Sequence, residues 1–256
     1  MICAGVDAGS RAIKIVILDS ETRRIRASGV ADQGIDQHCR VTGLLERLCT
    51  GCGISASDIG NTVATGCSRA MVSFAGTTIT EISCHARGVR HAVPEAKTIV
   101  EIGGQDSKLI HLSSQGKVRD FSMNDRCAAG TGRFLEVLAS RLEVDLDTLG
   151  RMAMQSTEPA VISSMCVVFA ETEITGLLAS GASPDDIAAG LQASFVTRIA
   201  AMAGKSVTAP VVFTGGVALI GSMKSALESA LGHQVVIPPS PQLTGALGAA
   251  LFAAEA

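Results

Sequence analysis

A shift of 94 positions lays the second half of this chain on the first. It carries Asp7 onto Glu101, Gly9 onto Gly103, Lys14 onto Lys108, Ile15 onto Leu109 and Val16 onto Ile110. An acid, a glycine, a lysine and the apolar pair behind it recur in step, and five matches in order indicate a duplicated unit. Each copy is built on strand-like runs. In the first half these cover 2–6, 13–18, 25–30 and 62–64, with an amphipathic helix over 41–52. In the second half strands are expected at 98–102, 108–112 and 118–123, then helices at 132–142, 167–179 and 184–203. A strand at 211–214, a helix at 221–231, a strand at 235–237 and a final helix from Gly245 complete the pattern. The implied fold is α/β: two mixed-sheet lobes facing each other, one at 1–92 and one at 93–243, with a helix at about 244–256 packing back on the first.

Composition excludes several classes. A hydrophobic fraction of 47% and 27 glycines suit a tightly packed α/β protein, not a disordered or fibrous one. A net charge of −3 lacks the basic excess that a broad nucleic-acid footprint needs. The longest apolar stretch, 211–223, is broken by glycine and too short to span a bilayer, so no membrane association is expected. No basic n-region precedes the first strand-like run, so no signal peptide and a cytoplasmic location are expected. The eight cysteines then read as free thiols or metal ligands, not disulfides.

Hairpins that begin acid-x-Gly bring backbone N–H groups and small side chains where phosphates approach, and the adjacent carboxylate can hold Mg²⁺. One Asp7-Ala8-Gly9-Ser10 would be an ordinary turn. Two copies in register, with Thr214-Gly215-Gly216-Val217 after a buried strand, point to a nucleotide cleft between the lobes.

The halves resemble the acetate and sugar kinase, heat-shock chaperone and actin superfamily, whose duplicated ribonuclease-H-like lobes close over ATP. Within it the chain is similar to the activating ATPases of 2-hydroxyacyl-CoA dehydratases and benzoyl-CoA reductases. The resemblance is carried by 101–106 (Glu-Ile-Gly-Gly-Gln-Asp), by the run from Met123 through Cys127 to Phe134, by the run from Ser163 through Met165 and Cys166 to Glu171, and by 241–248. It implies phosphate loops at Asp7, Gly9, Ser10 and Lys14 and at Glu101, Gly103, Gly104 and Gln105, with an adenosine loop at Thr214 to Val217. It also implies that Cys127 and Cys166 bind one [4Fe–4S] cluster shared by a homodimer. The activity implied is ATP-driven delivery of single electrons from a ferredoxin or flavodoxin to a dehydratase or reductase component. Two positions depart from the family pattern: Arg11 stands where a small hydroxyl residue is usual, and Glu101 where aspartate is common.

A cubane takes four thiolates. Cys127 and Cys166, 39 residues apart, supply two, and two-fold symmetry would bring the same pair from a second copy. Each precedes a helix pattern, whose N-terminus offers unpaired N–H groups to an anion. Cys49 and Cys52, by contrast, close a helix with Gly51 and Gly53 as stop signals, and have no second Cys-x-x-Cys partner. Cys3 and Cys84 read as core, and the histidines, His85 among them, show no metal-ligand spacing. In the expected mechanism Gln105 orients the attacking water, Asp7 and Glu101 manage Mg²⁺, and Lys14 or Lys108 offsets phosphate charge, with a solvated strand position as the alternative for Lys108. The rival classes are a small-molecule kinase, which needs a base for an acceptor hydroxyl, and a chaperone-like or filament-forming ATP-binding protein. A double-cluster reductase is the further alternative as electron acceptor.

Overall fold

The apolar run at the start forms β1 (Ile2–Ala8), buried along almost all its length. Antiparallel to it lies β2 (Ala12–Asp19), and outside that β3 (Ile25–Asp32), while β4 (Ile59–Thr65) and the short β5 (Thr77–Thr78) continue the other edge in parallel. The first sheet therefore runs β3-β2-β1-β4-β5. In this computed structural model, which describes residues 1–164, 166–204 and 207–256, the second sheet repeats that order. Met165, within the motif around Cys166, lies outside the described residues. The second sheet comprises β6 (Thr98–Ile102), β7 (Ser107–Leu112), β8 (Val118–Asn124), β9 (Val211–Thr214) and β10 (Val235–Val236), in the order β8-β7-β6-β9-β10. The sheets match strand for strand, so the sequence duplication is a duplication of mixed five-stranded sheets.

The chain divides into two compact units. One comprises 1–96, 112–119 and 238–256, and the other 97–111 and 120–237. In the first, α1 (Gln37–Gly51) lays Val41, Leu44, Leu45 and Cys49 over Ile13, Ile15 and Ile17 of β2. It starts four residues ahead of the apolar stripe because the Asp36 side chain accepts from the Cys39 N–H at 3.0 Å and caps it. The last helix, α8 (Thr244–Ala253), is buried on every side, as a run of alanine, leucine and glycine without charge requires. It packs against β1 and against α2 (Glu81–Ala92) closely enough that a Cβ on Gly248 would lie 1.8 Å from the Cys84 carbonyl oxygen.

In the second unit, α3 (Gly132–Arg141), α4 (Leu146–Gln155), α5 (Val167–Ala179) and α6 (Pro184–Ala203) all fall between β8 and β9, and α7 (Met223–Leu231) lies between β9 and β10. Phe134, Leu135, Leu138, Phe195 and Ile199 of α3 and α6 join Val100 and Phe213 of the sheet in one core. Helices α2 and α4 were not expected from the apolar pattern. What α2 buries is Cys84, His85, Ala86, Gly88 and Val89, and α4 buries Leu149 and Gly150 with Leu146, Met152 and Ala153 partly buried beside them, so each apolar face is short and mixed with glycine, alanine, sulfur or imidazole side chains. Their boundaries come from caps: Thr80 accepts from Ser83 N–H and Asp145 from Thr148 N–H. No described helix is long and apolar enough to cross a membrane.

Candidate functional site

In the first unit, strand pairing puts Asp7 directly across from Lys14, and the ammonium stands 3.3 Å from the carboxylate. The hairpin between them closes with the Gly9 N–H donating to the Ala12 carbonyl at 3.2 Å. Asp7 is 5% exposed, and its carboxylate reaches the first turn of α8: a Cβ on Gly245 would lie 3.1 Å from Asp7 Oδ2 and 3.1 Å from His85 Nε2. A helix start favours a negative charge there. His85 is itself buried and shares a 3.0 Å hydrogen bond between Nδ1 and Thr244 Oγ1. Ser10 is half-buried at the hairpin tip, while Arg11 is exposed and pairs with Asp32 at 2.9 Å.

The second unit repeats this geometry and adds a charge. Glu101 pairs across from Lys108, and the Gly103 N–H donates to the Asp106 carbonyl at 3.0 Å, the same closure 94 positions on. Lys108 is only 2% exposed; its Nζ lies 2.9 Å from Glu101 Oε2 and 2.8 Å from Asp106 Oδ2. A solvated strand position for Lys108 is therefore excluded. Gln105 is exposed at the tip of the loop, and Gly103 and Gly104 are half-buried.

A third part also recurs. Thr214 pairs with Glu101 at the end of β9, and Gly215 turns away with φ 92°. A Cβ on Gly215 would meet the Ile102 carbonyl oxygen at 2.2 Å and Glu101 Oε1 at 2.8 Å, so only glycine serves. Gly216 and Val217 follow in a 3₁₀ turn. In the first unit Thr65 pairs with Asp7, and Gly66 turns at φ 94° against the Ala8 carbonyl. Asp106, Thr65 and Gly66 are site positions that sequence reasoning assigned no role.

The two cysteine segments differ from each other. Cys166 is exposed and is the N-cap residue of α5, with no side-chain cap bond of its own. Cys127 is half-buried in the loop ahead of α3, where Asn124 Nδ2 donates to the Cys127 and Ala129 carbonyls, both at 2.9 Å. The start of α3 is not open, as its sequence setting had suggested. The Gly132 N–H donates to the Gly103 carbonyl at 2.9 Å and the Arg133 N–H to the Gly104 carbonyl at 2.7 Å. The helix that follows Cys127 is thus spliced by backbone bonds to the second glycine loop.

Of the other cysteines, Cys3, Cys49 and Cys84 are buried in the core. Burial pushes the Cys84 thiol up to about 12 and raises those of Cys3 and Cys49. Cys49 and Cys52 are free, Cys52 Sγ resting 3.5 Å from the Cys49 carbonyl, and Cys39 and Cys67 are exposed and free.

The model of the BadF/BadG/BcrA/BcrD ATPase family matches residues 4–253. The chain belongs to that family. An activator of lactoyl-CoA dehydratase from Anaerotignum propionicum is 43% identical over 257 residues, covering 100% of this chain and 98% of its own. The solved activator of 2-hydroxyisocaproyl-CoA dehydratase from Clostridium difficile, with bound ADPNP, is 42% identical and superposes with a TM-score of 0.94 over 100% of this chain and 95% of that one. A ROK hexokinase from Thermus thermophilus, 16% identical with a TM-score of 0.55 over 99% of this chain and 98% of that one, shares the fold alone. The BadF/BadG/BcrA/BcrD member described here therefore carries the actin-like fold of two related α/β units.

The residues of this family member suit the groups its resemblance implies. Paired acid–lysine hairpins with glycine tips suit a magnesium nucleotide. Among the described residues no three histidine, cysteine or acidic side chains gather as they would around a metal ion. Cys127 and Cys166, in the two segments that carry the resemblance, make half a cubane's ligand set, which suits a cluster completed by a second copy.

Proposed function

We propose that this chain is an ATP-hydrolysing activator that delivers single low-potential electrons to a 2-hydroxyacyl-CoA dehydratase. A [4Fe–4S] cluster held by Cys127 and Cys166, with the same pair of a second copy, would supply the one-electron chemistry. Asp7 and Glu101 would hold Mg²⁺, and Gln105, exposed at its loop tip, would orient the attacking water. Lys14, Gly9, Ser10, Gly103 and Gly104 receive the phosphates, and Thr214 to Val217 receive the adenosine. Lys108 acts through Glu101, since its ammonium already lies between two carboxylates.

The observation that carries the coupling is the pair of backbone bonds from Gly132 and Arg133 to Gly103 and Gly104. A loop that moves with nucleotide state would carry the start of α3, and with it the Cys127 segment. Such motion shifts an equilibrium only by the nucleotide's differential contacts with the two states. The homodimer has support from exposed apolar side chains that flank Cys166 in sequence: Val161, Val168 and Phe169 are 83%, 61% and 68% exposed, surface that a second copy would cover. A ferredoxin or flavodoxin is the proposed donor.

The test is activation of a purified 2-hydroxyacyl-CoA dehydratase under reducing, oxygen-free conditions. ATP should be turned to free phosphate with no phosphorylated acceptor, and Cys127→Ala and Cys166→Ala should abolish activation while ATP is still cleaved. A phosphorylated small molecule, or full activation by either variant, would overturn the reading.

A further inference from the structure

We propose that Glu173 is a positioning residue for the Cys166 thiol: its carboxylate staples the loop ahead of Cys166 to the helix behind it. This assignment rests on Cys166 as a cluster ligand. Glu173 lies on α5, seven residues after Cys166, two turns along the same helix face. Its Oε1 accepts from the Ser163 N–H and the Ser163 hydroxyl, both at 2.9 Å, and its Oε2 accepts from the Ser164 N–H at 2.8 Å. One carboxylate thus takes bonds from two consecutive residues that end two positions before the thiol.

The other end of the same segment is tied in a similar way. Asp186 Oδ1 accepts from the Ser156 hydroxyl at 2.7 Å and from the N–H groups of Thr157 at 3.2 Å and Glu158 at 3.0 Å. Between the two ties, the Ala160 N–H donates to the Asp186 carbonyl at 2.9 Å. Among its described residues, the connection from α4 to α5 is exposed over much of its length, with Ile162 and the partly buried Ala160 its apolar anchors. Charge-assisted bonds are what order such a segment. An ordinary loop closure would need no more, but this one ends on an exposed thiol that serves as its own helix's N-cap. Burial works against ionising Glu173, yet the bonds from Ser163 and Ser164 outweigh it and bring the carboxyl down to about 2. The staple is therefore intact across the ordinary pH range.

Glu173→Gln exchanges an accepting oxygen for a donor that faces N–H groups, and Ser163→Ala, at an exposed position, removes only the hydroxyl bond of Ser163. In the iron-free protein, amide exchange at Ser163 and Ser164 and alkylation of each cysteine by iodoacetamide are followed by peptide mass. In the reconstituted protein, the rate at which a chelator strips iron is followed. Glu173→Gln should keep wild-type circular dichroism, exchange the two amides faster, change the Cys166 alkylation rate with Cys127 unaffected, and lose iron about tenfold faster, the worth of one charge-assisted hydrogen bond. Ser163→Ala should move in the same direction by less. Faster amide exchange with wild-type alkylation and wild-type iron loss would overturn the proposal, as would alkylation rising equally at Cys127 and Cys166. If the wild type takes up no iron at all, the cluster reading fails, and the alkylation result still decides the role of Glu173.

Discussion

The ammonium of Lys108 stands between two carboxylates and is nearly cut off from water, whereas that of Lys14, 3.3 Å from the Asp7 carboxylate, is 20% exposed. Removing a partner from a buried ionic cluster leaves uncompensated charge and costs about 3–5 kcal/mol. Lys108→Met should therefore lower the urea unfolding free energy by about that much, and Lys14→Met by clearly less. Equal losses would show that the two hairpins are electrostatically alike. Glu173 gives a pH test. Its carboxyl is depressed from an ordinary 4.5 to about 2, so it contributes stability at pH values above 4.5 that is lost as pH falls toward 2. The stability gap between wild type and Glu173→Gln should be flat from pH 5 to 7 and close below pH 4; a gap that persists at low pH would contradict the assigned cause. Asp7, Lys14, Glu101 and Lys108 were legible in the sequence because cross-strand pairing keeps a fixed spacing within each hairpin. Asp106 was not legible, because the shift of 94 positions matches it to Ala12, so the duplication that revealed the others concealed it.

Helix α3 depends at its start on carbonyls of a distant loop. A Cβ on Gly132 would sit 3.0 Å from the Gly103 oxygen and 3.4 Å or less from the Gly104 Cα and a Val217 methyl, so the loop must yield slightly. Gly132→Ala should therefore still hold a cluster, but ATP should no longer change the rate at which a chelator removes iron. A wild-type response to ATP would rule out this route of coupling. In the first unit, Gly248→Ala places a methyl group in backbone and should destabilise by about 3 kcal/mol or more in thermal unfolding. Strands and long helices were legible because burial on one or both faces leaves a period. The glycine turn at Thr65-Gly66 was missed for a different reason. It lies 149 positions before Thr214-Gly215, not 94, since α3 to α6 are inserted between β8 and β9, and a constant shift cannot find it.

At the scale of the molecule, the duplication and the insertion divide the work. The repeated sheets supply one acid–lysine–glycine hairpin and one threonine–glycine turn in each unit, while Cys127 and Cys166, the proposed cluster ligands, both fall in the helical segment that only the second unit has. The chain offers two accessible thiols there and no complete metal site of its own among the described residues. Iron, sulfide and molecular mass, measured together on oxygen-free preparations of the wild type, Cys127→Ala and Cys166→Ala, test this most directly. The wild type should be a dimer with about four irons per two chains, and both variants should lack them. An iron-free wild type after reconstitution, or a full complement of iron in either variant, would contradict it.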